Sequence, residues 1–319
     1  SVDFGGTVMH GMVEWLEGEG ETGRLKASIT NFDPAAFSPM VGDTSAPATV
    51  VGSMSVSMDV GFLGTGRRVS DGLFHLDMTG MDVKTPNGYE PIATSIAEVR
   101  WDPSVGQFTM DETQVSVGNN TAYVKGVFRL GLDTQYGPTV SISLTGRDIS
   151  LASDIGPPAE PFVEMSLAAW SAPLYGATGI DQFEIRKADG SQIAARGRVD
   201  MLLDGAGFDM TVAGDGISAD DLKRVWPPFL AKESREWFVK SVVAGKLKAS
   251  SMRYDFPVGS LDLTAEDQAL PAGAITIDIV GEGVVIKAVD SMAPIKLEGD
   301  TQLTMRDSGV TISADGATI

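Results

Sequence analysis

The feature that most limits what this chain can fold into is strict alternation of apolar and polar residues, seen first between Ser53 and Phe62. Successive side chains of a β-strand point to opposite faces, so such a run gives one apolar and one polar face. The apolar members are Met54, Val56, Met58, Val60 and Phe62. The residues between them are serine, aspartate and glycine. The run therefore predicts a strand with one apolar face.

The same alternation recurs along most of the chain, with turn residues such as glycine, aspartate, asparagine and proline between the runs. Further apolar sets are Phe74, Leu76 and Met78; Val140, Ile142 and Leu144; Phe208, Met210 and Val212; and Ile275, Ile277 and Ile279. Short turns between strands favour antiparallel pairing, so we predict a mainly β fold. The apolar faces must pack on another sheet, on the same sheet curled on itself, or on an apolar ligand.

Composition excludes several functional classes. The net charge is −19, which disfavours binding to nucleic acid or to anionic lipid head groups. The charge is instead expected on a solvated strand face. The chain has no cysteine, which excludes disulfides, thiolate catalysis and cysteine zinc sites.

The sequence offers no targeting or membrane segment. No run reaches the roughly 20 apolar residues that cross a bilayer, and no signal peptide is present. Because the chain starts at Ser1 and ends in strand-like sequence, we expect a piece of a longer protein with its anchor elsewhere.

A helical insert is predicted at about residues 218–245. Ser218 is a suitable N-cap, and Asp220 and Asp221 favour the positive end of a helix dipole. This first helix should reach Trp226 and end at Pro227.

A second helix is predicted over residues 229–244, ending at Gly245. A weaker helical turn is predicted at residues 33–37.

Two parts of the chain resemble each other at one constant offset. The matching residues are Gly80 and Gly283, Lys84 and Lys287, Pro91 and Pro294, and Ile92 and Ile295. Either glycines and prolines agree by chance, or the chain contains a repeat block at 1–203 and a truncated second block at 204–319. A repeat array would make a long surface.

A search for catalytic, cofactor and metal motifs finds none. The chain has two histidines, His10 and His75, and His75 should lie on a polar strand face between Phe74 and Leu76. Aspartate-rich turns lack calcium-loop spacing and are explained by turn chemistry. We therefore predict no enzymatic activity, no cofactor and no metal site.

The apolar strand faces remain as the candidate site. An ordinary sandwich core would explain them, but 14 methionines suit a surface that repacks around variable apolar partners. The repeat, if real, would extend that surface. The 17 apolar residues named in the first two paragraphs are the predicted lining of a lipid groove.

Residues 222–250 resemble a segment of the AsmA-like superfamily, particularly its YhdP-type branch. The shared pattern is a tryptophan–proline pair, a basic residue, a tryptophan and a closing glycine step. These are Trp226 and Pro227, Arg235, Trp237, and Gly245, Lys246 and Leu247. Residues 290–319 and 29–40 are similar to other strand and turn patterns of the family.

The resemblance implies a long, curled antiparallel sheet with a hydrophobic groove and short helical inserts. Such proteins are anchored in the inner membrane of Gram-negative bacteria, cross the periplasm and are implicated in moving phospholipid to the outer membrane. Phospholipid acyl chains are then the expected partners, and no catalytic residue is needed. The helices around Trp226 and Trp237 are expected to cap an edge of the sheet.

Two other functions stay open. One is assistance to outer-membrane protein assembly, in which strand edges rather than the groove bind the client. The other is a structural β-solenoid or adhesin with a dry core. An enzyme has the least support.

Overall fold

The computed structural model describes residues 2–4, 7–19, 22–33, 49–64, 68–85, 88–93, 97–152, 160–172, 174–202, 205–226, 232–261, 271–287, 293–306 and 309–318. Strands hold 76% of these residues and helices 6%, which confirms the predicted mainly β fold. The chain divides into unit 1, Ser1–Leu130 with Leu144–Ile149, and unit 2, Gly131–Ser143 with Ser150–Ile319.

Unit 1 contains a run of antiparallel strands and a small second sheet. Its strands are β1 (Val2–Phe4), β2 (Thr7–Glu17), β3 (Thr22–Phe32), β4 (Thr49–Gly52), β5 (Met54–Leu63), β6 (Arg68–Asp77), β7 (Met81–Thr85), β8 (Gly88–Pro91), β9 (Ala97–Asp102) and β10 (Gln107–Val117). β11 (Asn120–Asp133) and β12 (Gly137–Ser150) contribute to both units. Neighbours pair in the order β1, β2, β3, β5, β6, β9, β10 and β11. The small sheet is β4, β7 and β8.

Unit 2 has the same meandering antiparallel pairing. Its strands are β13 (Glu164–Ala172), β14 (Ala177–Arg186), β15 (Gln192–Leu202), β16 (Gly205–Asp215), β17 (Val242–Leu261), β18 (Ile275–Ile286), β19 (Ile295–Glu298), β20 (Asp300–Arg306), β21 (Gly309–Ser313) and β22 (Gly316–Thr318). β13 to β18 pair consecutively. β18 also pairs with β20 and, at its end, with β19.

Aspartates shape several hairpin turns, and their role explains part of the acidic composition. Asp77, Asp102, Asp133 and Asp189 each accept a backbone N–H from the residue two positions on, at 2.7–3.1 Å. Hydrogen bonds hold the pKa of each carboxyl below its ordinary value. The largest effect at Asp102 and Asp189 comes from the hydroxyl of the serine two positions on, and at Asp77 and Asp133 from the backbone N–H of Thr79 and Tyr136. Aspartate favours turns for this reason, as the sequence predicted.

The helical insert consists of α1 (Ala219–Val225) and α2 (Lys232–Ser241). Ser218 is the N-cap of α1, and its hydroxyl accepts the Asp221 N–H at 3.0 Å, which confirms the predicted start. α2 ends before the predicted residue 244, because Val242 already pairs with Ile286 as the chain enters β17. Gly245 is therefore not a helix stop. It lies in β17 with φ of +144°, at the register shift between Ala244 and Lys246.

One arrangement of strands occurs in both units. In unit 1, β3 pairs with β5, β5 with β6 and β6 with β9, while β7 pairs with β8. In unit 2, β16 pairs with β17, β17 with β18 and β18 with β20, while the end of β18 pairs with β19. The predicted boundary at residue 203 falls between β15 and β16, which pair within unit 2. The division into repeat blocks stays a prediction, and the predicted turn at residues 33–37 lies mostly outside the described residues.

Candidate functional site

The unit 1 face consists of apolar side chains that pair directly across β3, β5, β6, β9, β10 and β11. Directly opposed residues of antiparallel strands project from the same face of a sheet. The rows are Ile29, Val56 and Leu76; Ala27, Met58, Phe74, Val99 and Met110; and Leu25, Val60, Gly72, Trp101, Phe108 and Phe128. The apolar runs of separate strands thus form one surface.

Aromatic rings join the rows of the unit 1 face. Phe108 lies 4.3 Å from Trp101 and 5.7 Å from Phe74, measured between ring centroids. Trp15 on β2 extends the surface, with its ring 5.5 Å from that of Phe62. These distances are in the range of favourable aromatic pairs. The face is therefore packed along the sheet by contacts between its own side chains.

The unit 2 face is longer. Its rows are Leu167, Phe183, Ala195, Val212, Met252, Ile277 and Met305; Ala169, Ile180, Gly197, Met210, Tyr254 and Ile275; and Met165, Ile185, Ile193, Gly214, Ser250, Ile279, Leu303 and Ile312. The first row crosses seven strands, and strand spacing gives it a length of roughly 29 Å. It contains no charged residue and no hydroxyl.

A buried cluster of the unit 2 face lies on β17. Met252, Tyr254 and Phe256 are buried together with Ala274. The predicted residues of β16 and β18 pack against this cluster: Phe208, Met210, Val212, Ile275, Ile277 and Ile279. The lining predicted from the sequence did not include the residues of this strand. The alternation from Met252 to Phe256, with arginine and aspartate between, was visible and would have found them.

All 17 predicted lining residues are half-buried, neither sealed in a core nor fully exposed. The first five lie on β5, Phe74 and Leu76 on β6, and Met78 directly after it. Val140, Ile142 and Leu144 alternate along β12, and the remaining six lie on β16 and β18. The pairings bring together the sets of β5 and β6, and those of β16 and β18 across β17.

The helices contact β17 and lie against the unit 2 face. Residues 250–254 of β17 pair with both β16 and β18, whereas residues 242–249 pair with β18 and have one bridge, from Lys246 to Ser218, on the other side. The predicted edge cap stays a prediction. Together the helices and the face line an open-sided cavity of about 530 Å³. From the helices, the cavity is lined by Ala219, Leu222, Trp226, Trp237 and Phe238. From the central strands, it is lined by Met252, Ile277, Ile279, Thr301, Leu303 and Met305.

Specific polar contacts hold the helices in place. The Arg235 guanidinium donates to the carbonyl oxygens of Trp226 at 2.9 Å and Lys223 at 3.2 Å, where α1 ends. A cation favours this negative end of a helix dipole. The buried carboxylate of Asp221 accepts from Lys187 at 2.9 Å and lies 3.6 Å from Arg224. Two residues of the tryptophan-containing motif, Arg235 and Trp226, thus join α2 to α1.

The opposite face of each unit carries ion pairs. In unit 1, Arg24 bonds Asp59 at 2.7 Å and Asp71 at 3.2 Å, and these contacts raise the pKa of the guanidinium. In unit 2, Arg306 bonds Asp278 at 2.8 Å. The solvated polar face expected from the charge is therefore present. Among the residues with displaced pKa, Tyr254 stands apart, because burial on the apolar face raises the pKa of its hydroxyl.

The described residues offer little chemistry beyond contact. His75 pairs with Ser57 and Glu98, so it lies on the polar face as predicted. No group of acidic or histidine side chains that could hold a metal ion occurs among the residues the structure describes. In this part of the chain, no helix has both the length and the apolar character to cross a bilayer.

Comparison with protein-family models, curated proteins and solved structures returned no match for this chain. The geometry of the two apolar faces therefore carries the functional argument, beside the sequence resemblance at residues 222–250.

Proposed function

We propose that this chain is a segment of a periplasm-spanning, AsmA-like bridge, anchored in the inner membrane outside these residues, whose apolar groove carries phospholipid between the inner and outer membranes. The observation that carries the proposal is the uninterrupted apolar row from Leu167 to Met305 across seven strands. A curled sheet would place such rows along the inside of a groove.

The mechanism is passive. An acyl chain lying on the face removes apolar surface from water, which stabilises binding by about 25 cal/mol per Å². Half-buried lining residues leave part of their surface for this contact. A zwitterionic or anionic head group would stay in water, because placing it on the apolar rows would cost its hydration. No covalent step is required.

The test is native mass spectrometry and lipid extraction on the chain purified from a bacterial envelope. We expect co-purified phospholipid, and we expect it to be lost when Val56 and Met58 are both replaced by aspartate. The matched control replaces Ser55 and Ser57, which point to the other face of the same strand. A folded chain without lipid, checked by circular dichroism, would favour a dry-core scaffold instead.

One observation favours assembly of outer-membrane proteins as a second candidate. Within the described residues, positions 10–17 of β2 pair with β3 alone, which leaves their other edge open. Met12 and Val13 are 63% and 72% exposed there. An open apolar edge accepts an added strand. The test is hydrogen exchange of β2 with a peptide from an outer-membrane barrel strand. The peptide should protect β2, and Met12→Lys with Val13→Lys should abolish the protection.

A further inference from the structure

We propose that the cavity between the helices and the unit 2 face binds a single acyl chain whose carbonyl oxygen accepts a hydrogen bond from the Thr301 hydroxyl. The inference rests on the proposed function in taking lipid as the ligand class. It goes further in assigning a discrete site, an orientation and a polar contact. In a free fatty acid this oxygen belongs to the carboxyl group, which an apolar site favours in its neutral, protonated form, and in a phospholipid it belongs to the uncharged ester of one chain.

Thr301 is the residue that points to a ligand. It is only 6% exposed, it borders the cavity, and its Oγ1 has no hydrogen-bond partner among the described residues. Buried hydroxyl groups in proteins almost always have a partner, because an unpaired one keeps its full desolvation cost. A ligand oxygen in the cavity would supply that partner.

The position of Thr301 determines the orientation of the bound acyl chain. Thr301 pairs with Gly281, which pairs with Leu247, so it lies in the row nearest the start of β20. From there Leu303 and Met305 follow on the same face, over roughly 13 Å of strand. One leaflet of a bilayer core, half of about 30 Å, has a similar depth.

The size and chemistry of the cavity fit one acyl chain and exclude a charged lipid head group. Its 530 Å³ falls within the range of about 300–1,000 Å³ typical of small-molecule sites. Apart from Thr301, its lining is apolar except for Lys246, whose ammonium lies 3.9 Å from the Asp189 carboxylate. A charged head group buried among such residues would lack partners. The head group therefore lies outside.

Binding can be measured by calorimetric titration of the delipidated chain with saturated fatty acids from decanoate to palmitate. Affinity should rise about fourfold per added methylene until the cavity is filled. Thr301→Val should weaken binding about three- to tenfold at every chain length, and Thr301→Ser should restore it. Thr304→Val is the matched control, because Thr304 lies on the opposite face of β20.

Two further measurements separate a ligand contact from a structural role. Thr301→Val removes an unpaired hydroxyl, so the ligand-free chain should be as stable as the wild type or more stable. Leu303→Trp should narrow the cavity and abolish palmitate binding. The proposal would be overturned if neither substitution changed palmitate binding. It would also be overturned if the folded protein bound no fatty acid.

A second arm uses vesicles of a diacyl phospholipid in place of fatty acids. Transfer of phospholipid that requires Thr301 would identify the lipid-borne chain as the source, while palmitate binding without transfer would identify the free acid. The phospholipid test with Val56 and Met58 concerns unit 1. Thr301-dependent palmitate binding without co-purified phospholipid would retain this site and refute the bridge. The reverse result would retain the bridge and refute this site.

Discussion

The two units present the same kind of apolar face, but the described residues cover it differently. In unit 1, the rings of Trp101 and Phe108 pack against each other along the face at a 37° tilt, and the described residues include no helix. In unit 2, α1 and α2 lie over the face and line an open-sided cavity above β17, β18 and β20. The comparison teaches that alternation determines which face is apolar but not what lies on it.

The two faces are built by comparable strand pairings. In unit 2 the segment that precedes β17 forms the two helices. In unit 1 the segment that precedes β5 includes residues 34–48, which lie outside the described residues. Substitutions that act on one described face and not on the other test how the two faces differ.

The largest effect is expected from Asp221→Ala, which removes the partner of two buried cations. Loss of one member of a buried ion pair costs about 3–5 kcal/mol, because the other charge stays buried. Urea unfolding of the full chain measures the change. Asp278→Ala breaks an exposed pair with Arg306 and should cost at most about 1 kcal/mol. Equal costs for the two variants would show that the helices are not held by this network.

The second-largest effect is expected when one methionine on each face is replaced by alanine and the losses of stability are compared. Met252→Ala in the buried cluster should cost about 2–5 kcal/mol, since Met252 is buried and packs with Tyr254 and Phe256. Met58→Ala on the half-buried unit 1 face should cost about 1 kcal/mol. Urea unfolding of both variants measures the two changes in the free energy of unfolding. A larger cost at Met58 would mean that the unit 1 face is the better packed of the two.

A third prediction uses two glycines that lie under tryptophan rings. A Cβ at Gly179 would come 2.5 Å from Nε1 of Trp170, and one at Gly23 would come 2.3 Å from Cζ2 of Trp15. Trp170 is held by a hydrogen bond to Asp181 at 3.2 Å, so Gly179→Ala should cost about 1–3 kcal/mol. Trp15 is 38% exposed and can move aside, so Gly23→Ala should cost less. Thermal unfolding of both variants measures the two losses of stability, and a larger loss for Gly23→Ala would contradict this prediction.

The smallest effect is a pH dependence at Tyr254. Burial raises its pKa in the folded chain, whereas an unfolded tyrosine ionises near pH 10. Above about pH 10 the unfolded state loses the proton and the folded state keeps it, so stability falls as the pH rises. Tyr254→Phe should remove this part of the fall. Identical alkaline unfolding curves for the two proteins would refute the assignment.

Much of the fold could be predicted from local sequence. Alternation around Val56 and Ile277 predicted the strands and their apolar sides, and Ser218 predicted the start of α1. The predicted length of α2 was wrong, because Val242 pairs with Ile286 in the sheet although the sequence pattern there is helical. The cavity could not be predicted, since it joins Leu222 on a helix to Thr301 on a distant strand, and no local pattern reports such proximity.

The most direct test of acyl-chain binding places a photo-crosslinking amino acid at single positions of the chain made in the bacterial periplasm with radiolabelled phospholipid. Met58 and Ile277 probe the two apolar faces. Ser57 and Thr276, their neighbours in sequence, probe the opposite faces. We expect labelled lipid adducts at Met58 and Ile277 and none at Ser57 or Thr276. Equal labelling at all four positions, or none at Met58 and Ile277, would contradict this expectation.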